Sequence, residues 1–243
     1  MLIFLTCVLL YGVGLVTPQF LQQLMGYTSL SAGIATAPLG LGAMASMILV
    51  GYLVAKFDAL PIVVFGFLIF ALATFLLSRI SLTIGPWDVF WPQILAGSAI
   101  GFLFVPCSLL GTARLRRDQI GSATGFMNLM RNVGGSVGIA AVSTYIVRRS
   151  QTHQSMLVQH VTPENPLVRQ AIVGLQYYFH IRQGNCGAGS VQALGMLYRL
   201  LQQQSYLLAF IDVYSGLAFV AFAAILLVFL FEKVTVDPTH LSH

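Results

Sequence analysis

The chain has 243 residues, of which 57% are apolar and 8% charged, and its mean hydropathy is +0.85. Soluble domains carry about 25% charged residues, so this composition excludes an ordinary water-soluble globule and a disordered chain. Twelve Lys and Arg outnumber seven Asp and Glu, but they form no run, which excludes a nucleic-acid partner bound through a basic surface. The three cysteines lack a metal-type spacing, and we expect neither a metal nor a cofactor.

Six apolar stretches follow one another along the chain, each close to the roughly 20 residues that a transmembrane helix needs. The first charged residue is Lys56, which leaves room before it for two crossings with a break at Thr17-Pro18 and at Gly26–Ser29. We therefore predict an all-α, polytopic membrane protein with six transmembrane helices. The predicted spans are about 1–17, 30–54, 59–78, 89–113, 121–147 and 205–231.

The first predicted span is short and starts at Met1 without a polar lead. A signal peptide is the alternative interpretation, but the positively charged segment that opens such peptides is missing. We expect instead that this helix begins upstream, in a portion of a longer protein.

Short loops on one side of the predicted bundle hold five basic residues, whereas those on the other side hold only Arg79. Cytoplasmic loops are enriched in Lys and Arg, so we predict that Arg114–Gln119 and the tail 232–243 are cytoplasmic. Segment 148–204 is then an extracytoplasmic loop. If its own arginines are included, the numbers of basic residues on the two sides become nearly equal. Within it, Leu167–Ile181 is predicted to be an amphipathic helix that lies on the membrane, on a partner or on its own bundle.

Glycine is frequent inside the predicted spans, with GxxxG spacing at Gly97–Gly101 and at Gly134–Gly138. Small residues let membrane helices approach closely, so helix packing is the expected role of most of them. The alternative is that some line a path through the membrane or permit helices to slide.

Two charged residues lie inside predicted spans, where a charge at the helix centre costs about 2.5–3.5 kcal/mol. Arg131 precedes Arg148 by about 26 Å of helix, so it either serves a pathway or reaches the headgroups by snorkelling. Asp212 has apolar neighbours and is a candidate for a proton or ligand site, or for a packing hydrogen bond. The spans lack histidine and paired carboxylates, and the chain lacks a phosphate-binding loop, so we expect no enzyme and no ATP-driven motor.

The stretch Gly121–Ala140, GSATGFMNLMRNVGGSVGIA, resembles the penultimate helix of the fourteen-span drug:proton antiporters of the major facilitator superfamily (EmrB/QacA type). In the same order, Thr17–Thr28 with Ala32-Gly33 resembles the loop after the ninth span of that family. Gly51–Asp58 resembles a degenerate copy of the superfamily's cytoplasmic loop motif, and Ala209–Asp212 is similar to the start of its last span.

This resemblance implies the C-terminal half of a major-facilitator fold in a bacterial inner membrane. It implies proton-coupled export of amphiphilic or cationic compounds by alternating access, with a missing N-terminal half or a second copy enclosing the cavity, and with a periplasmic adaptor as a further partner. Our candidates for the substrate or proton pathway are Asn128, Arg131 and Asp212, followed by Gln93 and Ser98. Our candidates for packing or conformational change are Gly51, Lys56, Asp58, Gly121, Gly125, Gly134, Gly135 and Gly138.

The chain also departs from the pattern. Ala55 stands where the loop motif usually carries an acid, and Leu60 and Pro61 stand where basic residues are usual, so the charge relay of that motif is not expected here. The resemblance concerns the complete transporter, and whether this half transports anything alone is a separate question. The alternative interpretation is a stand-alone six-span membrane scaffold or assembly subunit that transports nothing.

Overall fold

A computed structural model describes residues 2–81, 85–112, 115–116, 118–161, 166–183 and 188–229. The predicted all-α fold is confirmed, since these residues contain helices and no strand. The predicted tail 232–243 and the basic residues Arg114 and Arg117 lie outside the described residues. The helices are α1 (Leu2–Gln23), α2 (Ser29–Thr36), α3 (Pro38–Val54), α4 (Ala59–Leu77), α5 (Pro86–Thr112), α6 (Ile120–His160), α7 (Pro166–Gln183) and α8 (Ala188–Phe229).

Five stretches of the described helices are long and apolar enough to cross a membrane, judged by length and composition. α6 is not among them, because its first four turns include Asn128, Arg131 and Asn132. The fifth of the six predicted crossings, 121–147, therefore stays a prediction. The five stretches are Leu2–Gln23, Ser29–Val54, Ala59–Leu77, Trp87–Thr112 and Gln192–Val228.

The predicted break at Thr17-Pro18 is wrong, because α1 continues through Pro18 to Gln23. Membrane helices tolerate an internal proline when nearby groups satisfy the freed backbone atoms. The Thr17 hydroxyl donates to the Val13 carbonyl oxygen at 3.3 Å, next to the Gly14 carbonyl that Pro18 leaves without its helical donor. The chain turns only afterwards, where Gly26 adopts a φ of 68° that residues with a Cβ rarely take up.

The predicted second span, 30–54, is two helices rather than one. α2 begins after Thr28, whose side chain caps the helix by accepting a hydrogen bond from the Ser31 N–H at 3.3 Å. α2 ends at Thr36, and α3 starts at Pro38, which has no backbone N–H to continue a helix but suits a first helical position.

α6 and α8 extend well beyond the predicted spans, to His160 and back to Ala188. Hydrophobicity fixes where a helix meets lipid but does not fix where it stops, and no proline follows the α6 span before Pro163. The predicted loop 148–204 is therefore largely helical, and α7 covers the segment predicted to be amphipathic.

The chain divides into two compact units. Unit 1 comprises 1–143 and 211–243, and unit 2 comprises 144–210. In unit 1, α5 packs most extensively against α3 and α4, and Val50, Ile62 and Phe102 form a buried cluster among these three helices.

In unit 2, the continuations of α6 and α8 run side by side. The Gln154 side-chain amide donates a hydrogen bond to the Tyr198 hydroxyl at 3.0 Å, which ties the two helices together. Ser150, Ala193 and Ser205 are buried, and the small volume of these residues suits close helix contact.

Candidate functional site

An apolar cavity of about 480 Å³ lies in unit 1 among α1, α5 and α6. α1 supplies most of its wall, α5 supplies Ile100 and Phe104, and α6 supplies Ile139. Cavities that bury small molecules usually have such volumes and apolar linings. The α1 residues that line it are Cys7, Leu10, Tyr11, Gly14 and Leu15.

Glycines set the distance between α6 and α1 beside this cavity. A Cβ on Gly134 would lie 2.8 Å from the Phe4 carbonyl oxygen, and a Cβ on Gly138 would lie 2.5 Å from that of Val8. A Cβ on Gly135 would lie 3.2 Å from the Tyr11 ring. Only residues without a side chain allow α6 to approach α1 this closely.

Arg131 of α6 reaches the cavity wall through Phe104. The centre of its guanidinium lies 4.0 Å from the centroid of the Phe104 ring, the geometry of a cation–π contact. The side chain is half-buried, and its Nε is buried without a hydrogen-bond partner. A buried donor without a partner carries a free-energy cost that an acceptor bound at this point would remove.

A second polar group on the wall is a backbone carbonyl. Pro18 has no N–H, so the carbonyl of Gly14 lacks its usual helical donor four residues later. Gly14 lines the cavity, and no described atom lies within 4 Å of the place where its Cβ would be. The cavity therefore combines an apolar wall with a backbone carbonyl on α1 that lacks its helical donor.

Gln93 of α5 has no exposed surface, and neither Nε2 nor Oε1 has a hydrogen-bond partner. Seven and eleven residues further along α5 stand Ile100 and Phe104, which occupy the same helical face at 100° per residue. Gln93 thus belongs to the α5 face that carries the cavity, although it is not part of the lining.

Ser98 is half-buried and donates its hydroxyl to the Ile94 carbonyl oxygen of its own helix at 2.9 Å. It lies at the α3–α5 contact, where a Cβ on Gly42 would lie 3.0 Å from the Ser98 backbone nitrogen. The structure therefore places Ser98 on the side of α5 that faces α3.

Asp212 of α8 is half-buried, and it stands two residues before Tyr214, which forms a buried polar link to α1. The hydroxyls of Tyr214 and Thr17 are 3.0 Å apart, and Tyr214 is 1% exposed. Asp212 does not line the cavity among α1, α5 and α6. Asn128 is exposed on α6, one turn before Arg131.

Five residues assigned to packing or conformational change have open surroundings. No described atom lies within 4 Å of a Cβ built on Gly51, Gly121 or Gly125. Lys56 and Asp58 are exposed in the turn between α3 and α4. None of these five packs two described helices together.

Tyr11, Gly14 and Leu15 line the cavity but were not predicted from the sequence. α1 is apolar on all faces, so periodicity cannot distinguish a cavity wall from a lipid-facing surface. The only usable signal is Pro18, which marks Gly14 as a carbonyl without its helical donor. Among the described residues, no group of three or more His, Cys, Asp and Glu side chains is placed to hold a metal ion.

The sequence profile of the Major Facilitator Superfamily matches residues 1–139. Fatty acid resistance protein FarB of Neisseria gonorrhoeae is 28% identical over 191 residues, which are 79% of this chain and 36% of that protein. Multidrug export protein EmrB of Escherichia coli K12 is 29% identical over 166 residues, which are 67% and 32% of the two chains.

Colistin resistance protein EmrB of Acinetobacter baumannii is 26% identical over 225 residues, which cover 92% of this chain and 43% of that protein. The chain thus spans between about a third and two fifths of the length of these relatives. The resemblance to the drug:proton antiporter branch is confirmed.

Proposed function

The chain belongs to the Major Facilitator Superfamily and is a multi-pass bacterial membrane protein, and on this basis we propose that it is the C-terminal half of a proton-coupled multidrug exporter. The six predicted spans form one of the two halves that rock against each other around a central site. The other half is a separate N-terminal portion or a second copy of this chain. Transporters of this superfamily are generally not enzymes.

The cavity among α1, α5 and α6 is the observation that carries this proposal. Its described lining is apolar and aromatic and holds no acid, which suits the body of an amphiphilic molecule. Arg131 at Phe104 and the carbonyl of Gly14 give such a molecule polar contacts at two points of the wall.

The substrates proposed are small amphiphilic compounds, both cationic and acidic. The names of the relatives refer to multidrug export, colistin resistance and fatty acid resistance, which supports a broad amphiphilic range. Because the only described charge beside the cavity wall is Arg131, amphiphilic acids are expected to bind this half more tightly than amphiphilic cations.

Asp212 is the proposed proton-carrying group in this half. It is a half-buried acid on the part of α8 that belongs to unit 1, and the residues around it on this helix are largely apolar. Asn128 and Gln93 are proposed to meet the substrate or the other half as the two halves move. A periplasmic adaptor protein is a further proposed partner, with segment 148–204 on the outer side of the membrane.

The test is transport in vesicles that contain this chain alone or together with a co-expressed N-terminal half. With both halves, an imposed proton gradient is expected to drive export of ethidium and of a fluorescent fatty acid, and Asp212→Asn is expected to abolish the dependence on the gradient. Export by neither preparation, with both halves folded and associated, would contradict the proposal and favour a membrane scaffold without transport activity.

A further inference from the structure

The net charge of the chain is concentrated in unit 2, residues 144–210. This unit holds five of the twelve basic residues but only one of the seven acids, Glu164. Unit 1 holds the other seven basic residues and six acids, so its charges nearly cancel. The five basic residues of unit 2 are Arg148, Arg149, Arg169, Arg182 and Arg199.

All five basic residues of unit 2 are arginines, and none is a lysine. The planar guanidinium matches the two oxygens of a phosphate better than an ammonium does. Arg148, Arg149, Arg169 and Arg199 are exposed. A surface of this kind attracts an anionic partner, and phosphate is the anion that arginine binds with particular geometric fit.

One of these arginines lies in a groove along α7. The groove has a volume of about 480 Å³, and its lining contains Arg169, Gln170, Val173, Gly174 and Tyr177. Their spacing places all five on one side of the helix. Val173 and Tyr177 are 57% and 67% exposed, and no described atom lies within 4 Å of a Cβ built on Gly174.

We propose that this α7 groove binds an anionic phospholipid. Arg169 and Gln170 donate hydrogen bonds to the phosphate of the headgroup, and Val173, Gly174 and Tyr177 receive the glycerol and the first methylenes of the acyl chains. Tyrosine and arginine beside apolar residues are the composition of helices that lie at a membrane interface. An acidic protein would pair with Arg169, but its charges would not account for the exposed apolar surface of Val173 and Tyr177. The proposal concerns lipid binding by unit 2 and does not depend on the transport activity.

The experiment places the environment-sensitive fluorophore NBD at Val173→Cys in the full chain, with Cys186→Ser to remove one thiol. Cys7 and Cys107 are buried and label poorly. The protein is reconstituted in nanodiscs of phosphatidylcholine with a rising fraction of phosphatidylglycerol, with and without brominated acyl chains. Inorganic phosphate added to pure phosphatidylcholine nanodiscs tests a free anion.

Phosphatidylglycerol is expected to shift the NBD emission to the blue and to make it quenchable by brominated lipid, whereas inorganic phosphate does neither. Arg169→Gln is expected to raise the fraction needed for half of the shift about fivefold, the effect of about 1 kcal/mol per arginine at an anionic surface. The matched variant Arg116→Gln removes an exposed arginine of unit 1 and is expected to leave the midpoint unchanged.

Three results would overturn the proposal. They are an emission that stays that of a water-exposed probe in every lipid mixture, a shift that inorganic phosphate reproduces, and equal midpoints for Arg169→Gln and the parent. The first would leave an acidic protein as the partner of unit 2. If circular dichroism showed that Arg169→Gln had lost helicity, Tyr177→Ser would serve in its place, because it leaves the charge of Arg169 intact. Tyr177→Ser is expected to weaken quenching by brominated lipid.

Discussion

The two sides of α5 differ in how closely they are packed. Towards α3, a Cβ on Gly97 would collide with the Leu39 carbonyl oxygen, and one on Gly101 would lie 2.7 Å from the Met47 backbone nitrogen. Towards α1 and α6, Ile100 and Phe104 face a cavity of about 480 Å³. One helix is therefore fixed in place on one side and open on the other.

This difference shows what glycines do in the bundle. Because the glycines at the α3–α5 contact have no side chains, the two backbones lie close together, which is a usual basis of association between membrane helices. At Gly14, beside the cavity, no atom of another described helix lies within 4 Å of the position of a Cβ. The closely packed α3–α5 pair thus supports the α5 wall of the cavity, which is the site we propose for the substrate.

The largest effect expected from this comparison is that of Gly97→Val. The new side chain would overlap the α3 backbone, and we expect a loss of at least about 3 kcal/mol in the free energy of unfolding. Thermal unfolding in detergent, followed by circular dichroism, measures it. Gly51→Val is the matched control, since Gly51 has open surroundings, and its effect is expected to stay within about 0.5 kcal/mol. Equal melting temperatures for the two variants would contradict the packing described.

The next largest effect is that of Arg131→Gln on the assembled transporter. A hydrogen bond to a charged group contributes about 1.5–3 kcal/mol, so we expect export of a fluorescent fatty acid to fall about tenfold or more and export of ethidium to change little. Arg116→Gln, which changes a charge outside the cavity, is expected to leave both rates unaltered. Equal losses for the two substrates would contradict a role in anion binding.

Gln93→Leu is expected to stabilise the chain. Both polar atoms of the Gln93 side chain are buried without partners, and a buried unpaired polar group costs about 1–3 kcal/mol. Leucine of similar volume removes this cost, so the melting temperature is expected to rise. A lower melting temperature would mean that the amide has a partner in the native ensemble.

The smallest effect expected concerns the link between α1 and α8. Tyr214→Phe and Thr17→Val each remove one hydroxyl of a pair 3.0 Å apart. Hydrogen bonds between membrane helices contribute about 0.6 kcal/mol on average, and we expect a coupling of that size from the double-mutant cycle. Additive effects of the two substitutions would show that the pair contributes nothing.

The sequence predicted helices well and their ends less well. α4 was expected at 59–78 and runs from Ala59 to Leu77, because a charged turn precedes it and Arg79 follows. Pro18 and Pro38 were the difficult points. α1 continues through Pro18, whereas α3 begins at Pro38 as a separate helix. Whether a proline interrupts a membrane helix depends on the neighbouring helices rather than on the local sequence.

The candidate site was predicted only in part. Arg131 could be identified from sequence because a charge inside an apolar span is rare. The partner ring of Phe104 and the open space at Gly14 depend on how three helices meet, and the α1 pattern is too uniformly apolar to indicate its inner face. The division of the chain into two compact units was not predicted from the sequence either.

The most direct test of the account is protection of the cavity by substrate. Gly14→Cys and the control Gly51→Cys are placed in turn in the transporter assembled from both halves, and alkylation by a small maleimide is timed with and without a fatty acid. If the cavity is the substrate site, the fatty acid slows alkylation at position 14 and leaves position 51 unaffected. Equal rates at position 14 with and without the fatty acid, in a preparation that still exports it, would contradict the assignment of the cavity among α1, α5 and α6 as the substrate site.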